Sequence, residues 1–327
     1  MSNDDPFTLD LFGNTALSSG LGLGVTAFPP SLETGCDEED PSPTSPAPVS
    51  VEVAARRSPA RPTGENFYLA DRRGLAKSWH ERARDNLAAI CLASEIEEAQ
   101  RPATTKEQAA LIKFIGFGAS DLANGVFRRP GEADFRKGWE KIGADLEDAV
   151  ATGEYTSLAR CTQYAHFTPE YIVRAIWAGL QRLGWRGGRV LEPGIGTGLF
   201  PALMPEELRG ASHVTGIELD PVTARIARLL QPRALIIAGD FARTELPAHF
   251  DLAIGNPPFS DRTVHSDRAL RSMGLRLHDY FIVKALGLLK SGGLAAFVTS
   301  HGTMDKADNG ARAHIAGMAD LVGAIRL

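Results

Sequence analysis

The chain has 327 residues and 43% hydrophobic content, long enough for one large domain or two modest ones around a sizeable core. Its formal net charge of -5 gives no overall signature of a nucleic-acid binder, but residues 1–65 hold ten acids against three arginines, -7, which leaves +2 for residues 66–327 and keeps a polyanionic partner open. Cys36, Cys91 and Cys161 lie far apart with no CxxC and no His at ligand spacing, so neither a metal site nor a disulfide framework is expected.

The N-terminus, MSNDDPFTLDLFGN, is acidic where a secretory signal is basic, and no apolar run approaches the ~20 residues that span a bilayer. The reading is a cytoplasmic protein with no membrane partner. Residues 1–65 carry nine of the twenty prolines, the patch ALSSGLGLG and the acidic knot Cys36-Asp37-Glu38-Glu39-Asp40. Such a segment buries too little apolar surface to offset its ordering entropy, so a disordered acidic, Pro-rich tail is expected, with a short interaction motif at Phe7 to Phe12 as the alternative.

From residue 66 the pattern becomes helical. Leu87, Ile90, Cys91, Ala93 and Ile96 recur at helical spacing, and Thr104-Thr105 before Glu107 caps a second amphipathic helix that ends near Gly116 and Gly118. Further helical patterns run through ADFRKGWEKIGADLEDAVATG and EYTSLAR. A helical subdomain over 66–160 follows, with packing or partner docking as its default role. Beyond it, 161–327, the texture changes to short apolar runs: RVLEPG, SHVTGIEL, ALIIAGD, FDLAIG, GLAAFVTS and LVGAIRL read as six strands, with PVTARIARLL and HDYFIVKALGLLK as helices between them. Apolar strands alternating with helices predict a doubly wound α/β domain with a largely parallel sheet.

The first strand runs into Glu192-Pro193-Gly194-Ile195-Gly196-Thr197-Gly198, where glycines permit a sharp turn and close approach of a ligand to the main chain. The third glycine falls one residue early for the dinucleotide pattern, and a tight strand-to-helix turn is the competing reading of this loop alone. The second strand ends at Glu218-Leu219-Asp220, placing an acid about twenty residues on, where it accepts from ribose hydroxyls. There is no Walker lysine, and Glu192 would repel a pyrophosphate. An adenosine ligand without phosphates and with a cationic amino-acid end fits: S-adenosylmethionine. The third strand ends at Gly239-Asp240-Phe241, with Asp240 set to accept from an adenine amino group and Phe241 to supply an apolar edge, although Asp240 taken alone also suits a solvated strand end.

The fourth strand ends in Asn256-Pro257-Pro258-Phe259. The Asn256 side-chain carbonyl and the Pro257 main-chain carbonyl are two rigid acceptors for both hydrogens of a planar amine, which aligns its lone pair for attack on a sulfonium methyl, while Phe259 offers a stacking face. These residues resemble S-adenosylmethionine-dependent N6-adenine DNA methyltransferases, in which Asn-Pro-Pro-Phe/Tyr is catalytic. The resemblance implies that Asn256, Pro257, Pro258 and Phe259 form the catalytic motif. It also implies that LEPGIGTG, with Glu192, Gly194, Gly196 and Gly198, is the cofactor loop, with Glu218 and Leu219 at the ribose and Asp240 and Phe241 at the adenine. Phe167 and Thr168, in Phe167-Thr168-Pro169, resemble the segment that closes over the methionine end of the cofactor.

Residues 66–327 further resemble the amino-terminal methylase portion of large methylase-helicase fusion proteins of bacterial mobile elements. The implied fold is a Rossmann-like class I methyltransferase sheet with six of seven strands present, apparently truncated at the C-terminus, preceded by the helical subdomain and the tail. The implied partner is DNA, with a target-recognition and helicase portion absent from this chain, in a restriction-modification or related setting. Other planar amines, an RNA base or a protein glutamine, and an inactive cofactor-binding remnant are the alternatives. Arg262, Arg268, Arg271 and Arg276 beside the motif read either as phosphate contacts or as a solvated loop. Tyr280 and Phe281 read as pocket lining or core, and His166 and His301 are given no catalytic role.

Overall fold

A computed structural model describes residues 64–327 apart from 130, 164–167, 261, 308, 309 and 327. Residues 1–63 of the expected tail, and the expected cofactor contact Phe167, lie outside the described residues.

The first two helices start where the sequence supplies side-chain caps. α1 (Trp79–Glu98) and α2 (Thr105–Leu111) each open on a reciprocal capping box, Ser78 with Glu81 and Thr104 with Glu107, which satisfies orphan N–H groups at both starts. Arg101 forks onto the Glu107 carboxylate at 2.8 and 2.6 Å, fixing the α1–α2 turn. α3 (Ser120–Val126), α4 (Glu140–Ala149) and α5 (Thr152–Cys161) follow. α6 (Glu170–Arg182) leads into the sheet, burying Ile172, Val173, Trp177 and Leu180 along one stripe.

Five strands make one parallel sheet, β1 (Gly188–Pro193), β2 (Ser212–Glu218), β3 (Leu235–Ala238), β4 (Phe250–Gly255) and β5 (Leu289–Phe297), in the order β3-β2-β1-β4-β5. The chain therefore winds outward from β1 through β2 to β3, then returns to β4 on the other side of β1. That reversal opens a crevice at the carboxyl ends of β1 and β4, the general position of ligands in open α/β sheets. In β4, Leu252, Ala253 and Ile254 are fully buried, as the near-continuous apolar run requires of a strand covered on both faces.

The crossover helices are short α7 (Leu199–Ala202) and α8 (Glu206–Arg209), then α9 (Pro221–Leu230) and α10 (Leu277–Gly287), while α11 (His301–Asp305) and α12 (Gly310–Met318) follow β5. α9 carries Asp220 as its N-cap and proline at N1, and buries Val222, Ala224, Ile226, Ala227 and Leu230 between the sheet and helices α1, α2 and α5, each large side chain contributing about 1.5–3 kcal/mol.

One expected strand is corrected. Residues 321–326 of LVGAIRL form no strand, and Ile325 is 88% exposed. A β-branched apolar run becomes a strand only against a ladder partner, and these residues make none, so the described sheet has five strands rather than six. β5 in turn begins at Leu289, earlier than GLAAFVTS suggested, by absorbing a register shift against β4 and a turn at Gly292, φ +78°.

Candidate active site

The glycine loop is folded back onto β2. Gly194 and Ile195 donate their N–H groups to the Ile217 carbonyl at 2.8 and 3.0 Å, with Gly194 and Gly196 in the left-handed region at φ +75° and +58°. The Glu218 carboxylate joins loop to strand end: Oε2 accepts from Gly196 N and Oε1 from Asp220 N, both at 2.9 Å. Burial pushes the Glu218 carboxyl up to about 7, against the pull of the Asp220 N–H.

Glu192, at the end of β1, is 2% exposed and its Oε2 has no hydrogen-bond partner. Burial first, and the neighbouring Glu218 second, hold its carboxyl well above the usual carboxylate range. Such a group calls for a cationic partner, because an isolated buried carboxylate stays neutral otherwise.

A cavity of about 350 Å³ opens at this edge, within the ~300–1,000 Å³ of small-molecule sites. Of the sequence-predicted residues, Thr168, Glu192, Gly194, Gly196, Glu218, Leu219, Asp240, Phe241, Asn256 and Pro258 line it. Gly198, Pro257 and Phe259 are not on its wall. Gly198 instead serves packing: at φ +84° it starts α7, and a Cβ there would meet Gln231 Cγ at 3.0 Å. Asp240 Oδ1 accepts from Ala242 N at 2.9 Å, so this carboxylate shapes its own loop while facing the cavity.

The Asn-Pro-Pro-Phe turn leaves β4 through Gly255, whose φ of +149° is open to glycine and whose Cβ, if present, would lie 3.4 Å from Glu192 Cγ. The Gly255 carbonyl accepts from Val298 N at 3.0 Å, pinning the turn to the chain after β5. Phe259 stacks on His278, ring centroids 4.9 Å apart and planes 18° apart. His278 is buried, its Nε2 lies 2.5 Å from Thr299 Oγ1, and burial lowers its pKa to about 4, so the ring beneath Phe259 is neutral at pH 7. Phe281 reaches the cavity wall, whereas Tyr280 is core and donates to Asp267 Oδ2 at 2.6 Å. Arg262 lines the cavity, and Arg262, Arg268, Arg271 and Arg276 are all exposed.

Sequence reasoning missed several of these residues. Gly216 floors the loop: a Cβ there would sit 2.4 Å from Ile195 Cδ1 and 2.9 Å from its Cβ. Gly116 and Cys161, from the helical part, stand on the cavity wall. Buried Asn86 holds the Gly116 turn, donating to its carbonyl at 2.6 Å and accepting from Ile115 N at 2.8 Å. The only sequence signal for that role was a polar residue on the apolar stripe of α1. Among the described residues no group of three or more His, Cys, Asp or Glu is placed to hold a metal ion, and no helix is long and apolar enough to cross a membrane.

No family model matches the chain. Over 143 residues it is 31% identical to the tRNA1(Val) (adenine(37)-N6)-methyltransferase of Porphyromonas gingivalis W83, covering 39% of this chain and 56% of that protein. It is 30% identical over 164 residues to the type II methyltransferase M.XamI of Xanthomonas campestris pv. amaranthicola, covering 43% and 30%. It is 28% identical over 138 residues to the defense against restriction protein B of Escherichia phage P1, covering 41% and 6%. The chain thus spans about half the length of the tRNA enzyme and less of the other two. Among solved structures it is similar to the type I restriction-modification methyltransferase subunit of Streptococcus thermophilus, at 17% identity and a TM-score of 0.39 over 71% of this chain and 59% of that one.

The cavity offers acids for hydroxyl and amino donors and a buried carboxylate oxygen for an ammonium, with Arg262 also on its wall. The fold is a Rossmann-like α/β sheet with its cavity at the carboxyl edge, and the lining fits S-adenosylmethionine.

Proposed function

We propose that this chain transfers a methyl group to the exocyclic N6 amine of adenine in nucleic acid, with DNA as the substrate class. One observation carries the reading: the Asn256-Pro257-Pro258-Phe259 turn leaves the sheet at its topological break, with Asn256 and Pro258 on the wall of the acid-lined cavity. When bound, S-adenosylmethionine supplies an electrophilic methyl on a sulfonium. Glu218 holds the ribose, Glu192 the ammonium, and Asp240 with Phe241 the adenine ring, Thr168 lying at the cavity edge. The Asn256 amide oxygen and the Pro257 carbonyl accept the two amine hydrogens and aim the nitrogen lone pair. No strong base is required before transfer, because positive charge develops on nitrogen as the methyl–sulfur bond breaks and the carbonyl dipoles stabilise it; the sulfur leaves as a neutral thioether and the methylated amine then releases one proton to water.

The target base stacks on the face of Phe259 opposite His278, an interaction worth ~1–3 kcal/mol per base. Adenine N6 in a duplex lies within the stack, so the base is flipped out to reach the turn. Exposed Arg262, Arg268 and Arg271 contact phosphates beside it.

RNA is the second reading, favoured by the similarity to a tRNA adenine-N6 methyltransferase. The test incubates the protein with labelled cofactor and, separately, adenine-unmethylated DNA, unmodified tRNA and protein extract. Label as N6-methyladenine in DNA is the expected outcome; label in tRNA alone selects the second reading, and label in protein alone sinks both.

A further inference from the structure

Lys284 on α10 is not on the cavity wall, yet its ammonium touches both loops that are. On the cofactor side it donates to the carbonyls of Phe241 at 2.6 Å, Thr244 at 3.1 Å and Ala242 at 3.3 Å, and it lies 4.9 Å from the Phe241 ring centroid. On the target side its Nζ is 3.4 Å from Asp267 Oδ2. Both side chains are 13% exposed. Asp267 is itself fully engaged, Oδ2 accepting from the Tyr280 hydroxyl and Oδ1 from Ala269 N at 2.9 Å.

The segment Arg262–Arg276 that Asp267 belongs to is a compact excursion. Val264 N donates to the Leu275 carbonyl at 3.0 Å, both side chains are buried, and residues Thr263 to Ser266 form part of the cavity wall. A buried ammonium persists only where its hydrogens are taken up. Here they are taken up by carbonyls of the loop that follows Asp240 and by the carboxylate of the segment that follows the catalytic turn. That is a strut between two loops rather than a local ion pair.

We propose that Lys284 is a positioning residue that couples cofactor seating to the order of the Arg262–Arg276 segment. A ligand that fixes residues 240–244 fixes the segment through Lys284 and Asp267, and by reciprocity a nucleic acid that fixes the segment tightens the cofactor. The proposal rests on the reading of the cavity given above.

The test uses the full chain, S-adenosylhomocysteine as the cofactor probe and a labelled adenine-containing DNA oligonucleotide. Calorimetry measures binding of the probe, and anisotropy measures oligonucleotide affinity with and without it. In the wild type the probe is expected to tighten DNA binding by roughly 5-fold or more. Lys284→Met and Asp267→Asn are each expected to bring that ratio to about 1, and Lys284→Arg to keep part of it.

Asp267→Asn leaves the three carbonyl acceptors of Lys284 in place, so it should hold near wild-type affinity for the probe, which a generally loosened core would not. Amide exchange on the wild type needs neither nucleic acid nor a variant, and it covers the case in which Lys284→Met does not fold: the probe should protect residues 262–276 together with 240–244. Coupling unchanged in a folded variant, or protection confined to the cofactor loop, would overturn the inference while leaving the functional reading intact. A wild type that does not bind the probe refutes both.

Discussion

Glu192 gives the sharpest test of the cavity. Replacing it by glutamine keeps its volume and removes its ionisation at a site 2% exposed. In the apo protein the raised pKa values of Glu192 and Glu218 mean that the folded state holds protons the unfolded state has released. Their contribution to stability is therefore fully present below about pH 4.3, the unfolded value, and is lost as pH rises through the folded values. For Glu218, pushed up to about 7, the loss between pH 4 and pH 8 is up to about 3 kcal/mol, or roughly 6–12 °C in melting temperature.

A ligand ammonium beside Glu192 favours the ionised carboxylate, so affinity for S-adenosylhomocysteine should rise with pH over the range in which apo stability falls. A hydrogen bond to a charged partner is worth about 1.5–3 kcal/mol, so Glu192→Gln should weaken that binding by roughly 10–150-fold at pH 8 and less at pH 5. Adenosine, which lacks the ammonium, should lose little, and the apo variant should melt no lower than wild type at pH 8. The assays are calorimetry with both ligands at the two pH values and thermal melts across pH 4.5–8. Equal loss for adenosine and S-adenosylhomocysteine, or an unchanged S-adenosylhomocysteine affinity at pH 8, would refute the assignment of Glu192 to a cationic end.

Asn256→Ala should lower methyl transfer by about 10²–10³-fold or more, the scale of removing one aimed dipole, while S-adenosylhomocysteine affinity measured by calorimetry stays near wild type. His278, lowered to about 4, contributes stability that is present above pH 6.5 and lost as pH falls through 4. His278→Gln should therefore remove a loss of about 3 kcal/mol that His278 sets against the opposite trend of Glu218 between pH 6.5 and 4, so that the variant gains on wild type as pH falls; no such relative gain counts against the buried neutral ring. Gly216→Ala drives a methyl to 2.4 Å from Ile195 Cδ1 and should cost about 1–3 kcal/mol in denaturant unfolding, with weaker cofactor binding because Ile195 belongs to the loop. A neutral effect on both would place Ile195 elsewhere.

How much of this was legible in the sequence depended on whether the cause was local. α9 begins and ends where PVTARIARLL does, because a proline at N1 and one apolar stripe lie within its ten residues and an Asp cap directly precedes them. The Thr104–Glu107 box was readable for the same reason. LVGAIRL has strand composition but no strand, since pairing depends on a neighbour that composition does not encode. At the site, residues at strand ends could be placed because a near-continuous apolar run marks its own end. Gly198 and Phe259 could not, since whether a loop residue turns to the cavity, to Gln231 or to His278 is decided by long-range packing. Tyr280 and Phe281 show the limit most clearly: adjacent aromatics on one helix, one on the cavity wall and the other hydrogen-bonded to Asp267.

The helical part, which carried no nameable chemistry as sequence, is wired to the glycine loop by a short series of hydrogen bonds. Ser157 on α5 donates to Asp220 Oδ1 at 2.7 Å, the other Asp220 oxygen caps α9 by accepting from Thr223 N at 2.8 Å, and Asp220 N donates to the same Glu218 carboxylate that accepts from Gly196. Asp220 is 2% exposed, so losing the Ser157 hydroxyl would strand part of a buried carboxylate, a cost of about 1–3 kcal/mol at the Glu218 side of the cavity. Arg225 on α9 reinforces the same junction by pairing with Glu97 of α1 at 2.7 Å and with Glu154 of α5. Gly116 and Cys161 then complete the cavity wall from this side. Glu218 thus ends β2 but is tied to α5 through Asp220, and the helical part acts on the cavity through position rather than through a reacting group.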